Sequence, residues 1–275
     1  MKITIDDIRD AKGKRKLTML TAYDYPLASL IDRAGIDMIL VGDSVANVVL
    51  GLDSTTKVGM AEMLHHAKAV TRAVKSALVI GDMPYESYQV NRSESVKNAK
   101  RFIEEANCDV VKLEWFDDCL KVTEEIIKAG ISVMGHIGLT PQTAQQIGGF
   151  KVQGKDAGAA QKLINQALDL ERLGCFAIVL ECVPDKIAAI ITEKIKIPTI
   201  GIGAGGACDG QVLVAHDMLG LFERFTPKFV KKYVNLSEHI LNGVKAYKQD
   251  VENGLFPAKE HTFSIKQEEI DKLKK

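Results

Sequence analysis

A chain of 275 residues in which 36 Lys and Arg balance 36 Asp and Glu carries no net charge, so neither nucleic acid nor an anionic membrane is expected as a partner. Apolar residues make up 46% and charged residues 26%, the make-up of a globular enzyme with a sizeable core. No apolar run approaches the roughly 18 residues of a membrane span, Met1–Lys16 holds no signal-peptide core and the five cysteines form no CxxC pair, so reduced thiols in the cytoplasm are expected.

In chain order, Ile3–Lys12 reads as an extra helix able to close the bottom of a barrel, and Leu17–Ala22 as a first strand. Further strands follow at Met38–Val41, Leu78–Ile80, Val110–Leu113, Ser132–Ile137, Ala177–Leu180, Thr199–Ile202 and Val212–Ala215. Between them, apolar positions at 3–4 spacing predict helices at Met60–Lys75, Ser93–Asn107, Asp117–Ala129, Gly158–Gly174 and Val183–Lys194. Ser93–Ser95 supplies a capping signal, and Gly130 and Gly174 supply stops. Phe256–Phe263 reads as extended and Ser264–Lys275 as a charged terminal helix. Alternating strands and helices imply a parallel sheet, and eight strands imply closure into an α/β (β/α)8 TIM barrel with an N-terminal helix and a C-terminal tail. Residues 1–275 are expected to form one domain, with 256–275 as an extension. An open doubly wound sheet is the second choice, since its usual strand number is smaller.

Four of the buried-type strands run into a carboxylate: Asp43, Asp82, Glu114 and Glu181. An ionised carboxylate at the end of such a strand needs a metal, a partner or water. In a barrel these ends form the catalytic face, so one shared acidic site is expected. Oxygen ligands from separate strands suit Mg²⁺ at Asp43 and Asp82; capping of the next segment is the plain alternative. Gly42 and Gly81 are expected to turn the backbone sharply before each acid. Lys112 and Glu114 share one side of their strand, either as substrate and metal contacts or as a structural ion pair. Glu181 suits a general base with its pKa raised by burial, or a cap for the helix after Pro184. His136 suits substrate binding or plain core packing, whereas His65 and His66, inside a helix, are read as structural. The glycines from Gly201 to Gly206 read as a tight loop against the substrate mouth, not a nucleotide site. The segment Gly148–Lys155 is a candidate lid or a plain surface loop.

Taken together, these strings resemble the ketopantoate hydroxymethyltransferase family. The resemblance runs from Thr18–Asp24 through Phe263 and is carried by Gly42–Ser44, Gly81–Pro84, Val111–Glu114, Gly135–Gln142, Gly149–Lys155, Leu180–Pro184, Gly201–Gly205 and Asp209–Val214. It implies a barrel related to phosphoenolpyruvate mutase-like enzymes, assembled as a homodecamer. It also implies transfer of a one-carbon unit from 5,10-methylenetetrahydrofolate to 3-methyl-2-oxobutanoate, giving 2-dehydropantoate for pantothenate and coenzyme A. By position, the resemblance makes Asp43, Asp82 and Glu114 Mg²⁺ contacts, Ser44 and Lys112 keto-acid contacts and Glu181 the proton acceptor. Trp115–Phe116 stands where the family usually has two glycines, and Val45–Asn47 where it has Leu-Gly-Met, leaving folate affinity and loop geometry less defined than the metal chemistry. A related Mg²⁺-dependent C–C cleavage or rearrangement of another 2-oxo acid, or a keto-acid binder without activity, are the competing functions. A mere binder has no need of a base at Glu181.

Overall fold

Short β-branched runs flanked by amphipathic helices leave the strands no option but burial on both sides, and they close on themselves. The structure, a computed structural model, describes residues 1–89, 91–144 and 151–273. Its eight strands are β1 Leu17–Thr21, β2 Met38–Val41, β3 Leu78–Asp82, β4 Val110–Glu114, β5 Val133–Gly138, β6 Ala177–Glu181, β7 Thr199–Ile202 and β8 Gly210–Leu213. Each pairs in parallel with its neighbours in chain order, and β8 returns to β1. The barrel expected from the strand count is therefore present. Strand β8 starts and ends two residues before the expected span, because Ala215 opens a helix.

The helices are α1 Ile5–Asp10, α2 Tyr25–Arg33, α3 Val45–Val48, α4 Met60–Ala73, α5 Tyr85–Tyr88, α6 Arg92–Glu104, α7 Cys119–Lys128, α8 Ala157–Leu173, α9 Asp185–Lys194, α10 Ala215–Met218, α11 Leu236–Glu252 and α12 Gln267–Leu273. Asp24, Asn91 and Asp156 accept hydrogen bonds from the first-turn N–H groups of α2, α6 and α8. The cap of α6 thus falls earlier than the expected Ser93–Ser95. Gly174 takes the left-handed conformation that ends α8 (φ 101°), as its position predicts. Residues 221–255, to which the pattern assigns no element, contain α11; its Ile240, Leu241, Val244 and Tyr247 are exposed.

Two cores follow from the alternation along each strand. One side of every strand meets the helices, while the other fills the barrel with Met19, Met38, Leu78, Ile80, Val110, Met134, Val179 and Ile200. Ile8 and Ala11, from α1 and its end, join this inner cluster, so α1 plugs the barrel as its apolar pattern predicts. Continuing the inward register past Ile80, Val110, Met134 and Val179 brings Asp82, Lys112, Glu114, His136 and Glu181 to the top of the barrel interior.

Candidate active site

The top layer is charged where the layers beneath it are apolar. Register sets Asp82 beside Lys112 and Glu114 beside His136 on neighbouring strands. Lys112 Nζ lies 2.7 Å from Asp82 Oδ1 and 3.5 Å from His136 Nδ1. His136 Nδ1 is 3.5 Å from Glu114 Oε1, and its Nε2 is 3.2 Å from Glu181 Oε2, without the alignment of a hydrogen bond. Asp43, one residue beyond Gly42 after β2, donates its N–H to Asp82 Oδ2 at 3.1 Å. Ser44 Oγ is hydrogen-bonded to Tyr23 Oη at 2.7 Å. All of these except Tyr23 line one cavity of about 350 Å³ at the C-terminal ends of the strands.

Burial governs the charges. Desolvation pushes Asp82 up to about 7 and Glu181 up to about 8, with Lys112 opposing both shifts and Asp43 adding to them. Desolvation and the Asp43 charge likewise raise Glu114 well above the carboxylate range. Burial alone would lower Lys112, but Asp82, Glu114 and Asp43 outweigh it and hold the ammonium above its ordinary value. Desolvation and the neighbouring Lys112 charge push His136 well below its usual value, so the imidazole is neutral at pH 7.

Four carboxyl groups face one ammonium in this layer, so the metal-free site holds protons that a divalent cation would displace. Asp82 Oδ1 is buried with no hydrogen bond beyond its ion pair. Among the described residues no three Asp, Glu, His or Cys side chains converge into a closed ligand cluster, so Asp43, Asp82 and Glu114 are not a ready-made cage. Their oxygens are nonetheless the donor type of a hard cation such as Mg²⁺, whose shell water and substrate oxygens would have to complete.

The capping alternative for Asp43, Asp82 and Glu181 fails on geometry. The residues capping α3, α5 and α9 are Ser44, Pro84 and Pro184, and none makes a side-chain cap hydrogen bond. Asp43, Asp82 and Glu181 spend their oxygens on Gln142, Lys112 and the His136 contact instead. The glycines differ from expectation. Neither Gly42 nor Gly81 has a positive φ; a Cβ at Gly81 would strike the Phe102 ring, so that glycine serves strand–helix packing rather than a turn. The residue held left-handed is Cys182 (φ 49°), immediately after Glu181, where its N–H donates to Ile202 O and its carbonyl accepts from Gln153 N. In the β7 loop, Gly203 (φ 62°) lies against Phe229 and Gly205 (φ 81°) against Asp185. His66 Nδ1 is hydrogen-bonded to Tyr23 O at 2.7 Å, and neither His65 nor His66 lines the cavity.

Gln142 has no assigned role in the sequence pattern, yet it ties the site together. Its Nε2 donates to Asp43 Oδ2 at 2.9 Å and its N–H donates to Glu114 Oε2 at 3.0 Å, while Tyr88 Oη donates to its Oε1. One residue, through its side-chain amide and its backbone N–H, therefore orients acids at the ends of two strands. Trp115 and Phe116 line a neighbouring cavity of about 250 Å³ that shares no lining residue with the acidic one, and Phe116 packs edge-to-face on Tyr88. Of the candidate lid, Gly148–Phe150 lie outside the described residues.

Residues 2–259 match the family model described as ketopantoate hydroxymethyltransferase. The chain is 56% identical over 273 residues to the 3-methyl-2-oxobutanoate hydroxymethyltransferase of Syntrophomonas wolfei, covering 99% of both chains. It is 55% identical over 272 residues to that of Syntrophobacter fumaroxidans, covering 99% of this chain and 96% of the other. In fold it is similar to a phosphoenolpyruvate phosphomutase from Streptomyces platensis (TM-score 0.61, 14% identity, 98% and 96% covered) and to a phosphonopyruvate hydrolase crystallised with oxalate and Mg²⁺ (TM-score 0.60, 14% identity, 99% and 95% covered). With that identity along nearly its whole length, the chain belongs to the ketopantoate hydroxymethyltransferase family of transferases.

Proposed function

We propose that this protein transfers a one-carbon unit from 5,10-methylenetetrahydrofolate to C3 of 3-methyl-2-oxobutanoate, giving 2-dehydropantoate, with Mg²⁺ as cofactor. The observation that carries this reading is the partly buried carboxyl of Glu181, pushed up to about 8, in the same cavity as the three carboxyl groups of Asp43, Asp82 and Glu114. Asp43 and Asp82 would hold Mg²⁺ directly, with Glu114 as a further acidic contact kept in place by the Gln142 N–H. When bound, Mg²⁺ supplies Lewis acidity that draws electron density toward the keto-acid oxygens.

The remaining work falls to the chain. Lys112, fixed between Asp82 and His136, offers positive charge to the substrate carboxylate or to the enolate oxygen, with Ser44 as a second contact. Glu181 removes the C3 proton; its raised pKa makes it a stronger base than an exposed glutamate. Neutral His136 lies 3.2 Å from that carboxylate and adds no competing positive charge. The C3 carbanion equivalent forms the new C–C bond to the methylene carbon. One C–N bond to folate breaks as that bond forms and the second breaks as water supplies the hydroxyl, so tetrahydrofolate leaves with both electron pairs, its two nitrogens protonated by the proton taken from C3 and one proton of the water. The family resemblance further supports a cytoplasmic homodecamer; no helix among the described residues is long and apolar enough to cross a membrane, and all five cysteines are free thiols.

The test is product formation from 3-methyl-2-oxobutanoate followed by NMR, with and without methylenetetrahydrofolate and with Mg²⁺ removed by chelation. The expected result is deuterium exchange at C3 that needs Mg²⁺ but not folate, and 2-dehydropantoate only with both. Cleavage or rearrangement of the keto acid without folate would establish the sister activity instead.

A further inference from the structure

The acids from β2 to β6 occupy one half of the cavity. The half facing β7, β8 and β1 is apolar, walled by Val214, Phe225, Pro227 and Phe229. Phe229 is seated firmly: Gly203 lacks a side chain and takes a φ of 62°, and a Cβ there would lie 2.8 Å from the Phe229 ring. Into this apolar half faces one carboxylate the chemistry above does not use. Asp217, in α10 just beyond β8, is 7% exposed, and its Oδ1 is buried with no hydrogen-bond partner. Lys232 acts on it only through space, and burial pushes its carboxyl up to about 6. Leaving such an acceptor unsatisfied costs about 1–3 kcal/mol, more for a charge, unless a ligand supplies the donors.

An apolar, partly aromatic wall beside an unpaired carboxylate fits a planar heterocycle with two adjacent N–H donors. The 2-amino-4-oxopyrimidine edge of a pterin has this pattern, N3–H next to the 2-amino group, matching two carboxylate oxygens as a guanidinium does. We infer that Asp217, with the Phe225–Phe229 wall, binds the pterin ring of the folate donor, across the cavity from the acids that activate the keto acid. This inference rests on the reaction proposed above. It gives the two substrates separate halves of one cavity.

The experiment is equilibrium binding of tetrahydrofolate, and of its 2-desamino analogue, to the full chain with Mg²⁺ and 3-methyl-2-oxobutanoate present. The parent protein is expected to bind the desamino analogue at least about 10-fold more weakly, since one charge-assisted hydrogen bond is lost. Asp217→Asn puts an amide N–H against a pterin N–H; it is expected to weaken tetrahydrofolate binding about 10- to 100-fold and to abolish the discrimination. Affinity for the keto acid, measured in the same variant, should change less than about 2-fold by the same reasoning. Unchanged tetrahydrofolate affinity in Asp217→Asn, or discrimination that survives it, would overturn the assignment and place pterin recognition elsewhere, with the Trp115–Phe116 cavity next to be tested. If the variant does not fold, equal binding of the two folates by the parent protein overturns the inference and unequal binding supports it. A parent protein that neither binds tetrahydrofolate nor converts its methylene derivative sinks the proposed reaction itself, an outcome distinct from failure of Asp217 alone.

Discussion

Acidic residues stand at both ends of this barrel, and the two ends treat them in opposite ways. At the bottom, Asp37, Asp109 and Asp209 each precede a strand by one residue and reach sideways to the start of a neighbour. Asp37 accepts from Thr18 N and Oγ1 at 2.8 Å each and from Arg15 at 2.7 Å. Asp109 accepts from Val79 N at 2.7 Å and pairs with Lys2 at 2.7 Å. Asp209 accepts from Thr199 N at 2.9 Å and pairs with Lys12 at 2.7 Å. Burial works to raise Asp37, yet the hydrogen bonds from Arg15 and Thr18 hold it below its usual value. At the top, the donors are few. Gln142 and Lys112 serve Asp43, Asp82 and Glu114, and desolvation wins at Asp82, Glu114 and Glu181. The bottom acids are satisfied and hold strands together; the top acids are undersatisfied and available for chemistry.

Removing a top acid should therefore damage reaction more than fold. In Glu181→Gln, C3 deuterium exchange is expected to fall by about 10²–10⁴-fold, the worth of a positioned general base. Mg²⁺ and keto-acid binding should persist, and the melting temperature should stay equal or rise, because a buried carboxyl is replaced by a neutral isostere. Exchange near the parent rate would remove Glu181 from the chemistry and dissolve the contrast at that strand.

The two ends can also be set against each other directly. Asp209→Ala leaves Lys12 and the Thr199 N–H without their buried partner, and chemical denaturation should show a loss of about 2–4 kcal/mol. Asp82→Asn in metal-free protein should cost less than about 1 kcal/mol, since it relieves repulsion from Asp43 while weakening the Lys112 pair, yet calorimetry should show Mg²⁺ affinity sharply reduced. Equal destabilisation by both substitutions would show that the top acids are structural after all.

The top of the barrel was legible in the sequence because two periodicities agree there. Apolar runs mark the strands, and inward alternation from Ile80, Val110 and Val179 lands on Asp82, Lys112, Glu114 and Glu181. The bottom was not legible, because an aspartate before a strand looks like any turn residue until its partner is known. Val79 lies 30 positions from Asp109, and only the pairing of β3 with β4 joins them. Gln142 is hidden for the same reason: its string stands out, but Asp43 lies 99 positions away. Gly81 misleads in a different way, since a glycine needed to admit Phe102 reads the same as one needed to turn the chain. Asp217 follows a run at the end of β8 that was read as strand to Ala215, and its position inside the cavity depends on α10 starting there.

The smallest effect expected is also the one that compares the two ends within a single unmodified protein. Asp82, Glu114, Glu181 and Asp217 have raised pKa values in the folded state, so between about pH 4 and pH 8 the folded chain holds protons that the unfolded chain has released. His136 and His216, held neutral in the folded state, oppose this below about pH 6.5, where the unfolded chain protonates them, but above that value the acids act alone and stability falls as pH rises. Asp32 and Asp37 have the opposite sign. Their lowered pKa values contribute stability that is fully present above about pH 4 and is lost only on further acidification, so they add no slope between pH 6 and 8. Each proton linked over one pH unit is worth about 1.4 kcal/mol, or about 2–4 °C in a domain of roughly this size. Metal-free protein should accordingly melt a few degrees lower at pH 8 than at pH 6. Adding Mg²⁺ should raise the melting temperature more at pH 8, where the acids are ionised and free to bind it. The combined variant Asp82→Asn, Glu114→Gln, Glu181→Gln should flatten both dependences while keeping the loss of stability below about pH 4 that belongs to the bottom acids. A slope that survives in that variant would mean that the pH sensitivity lies outside the strand tops and that the two ends of the barrel are electrostatically alike.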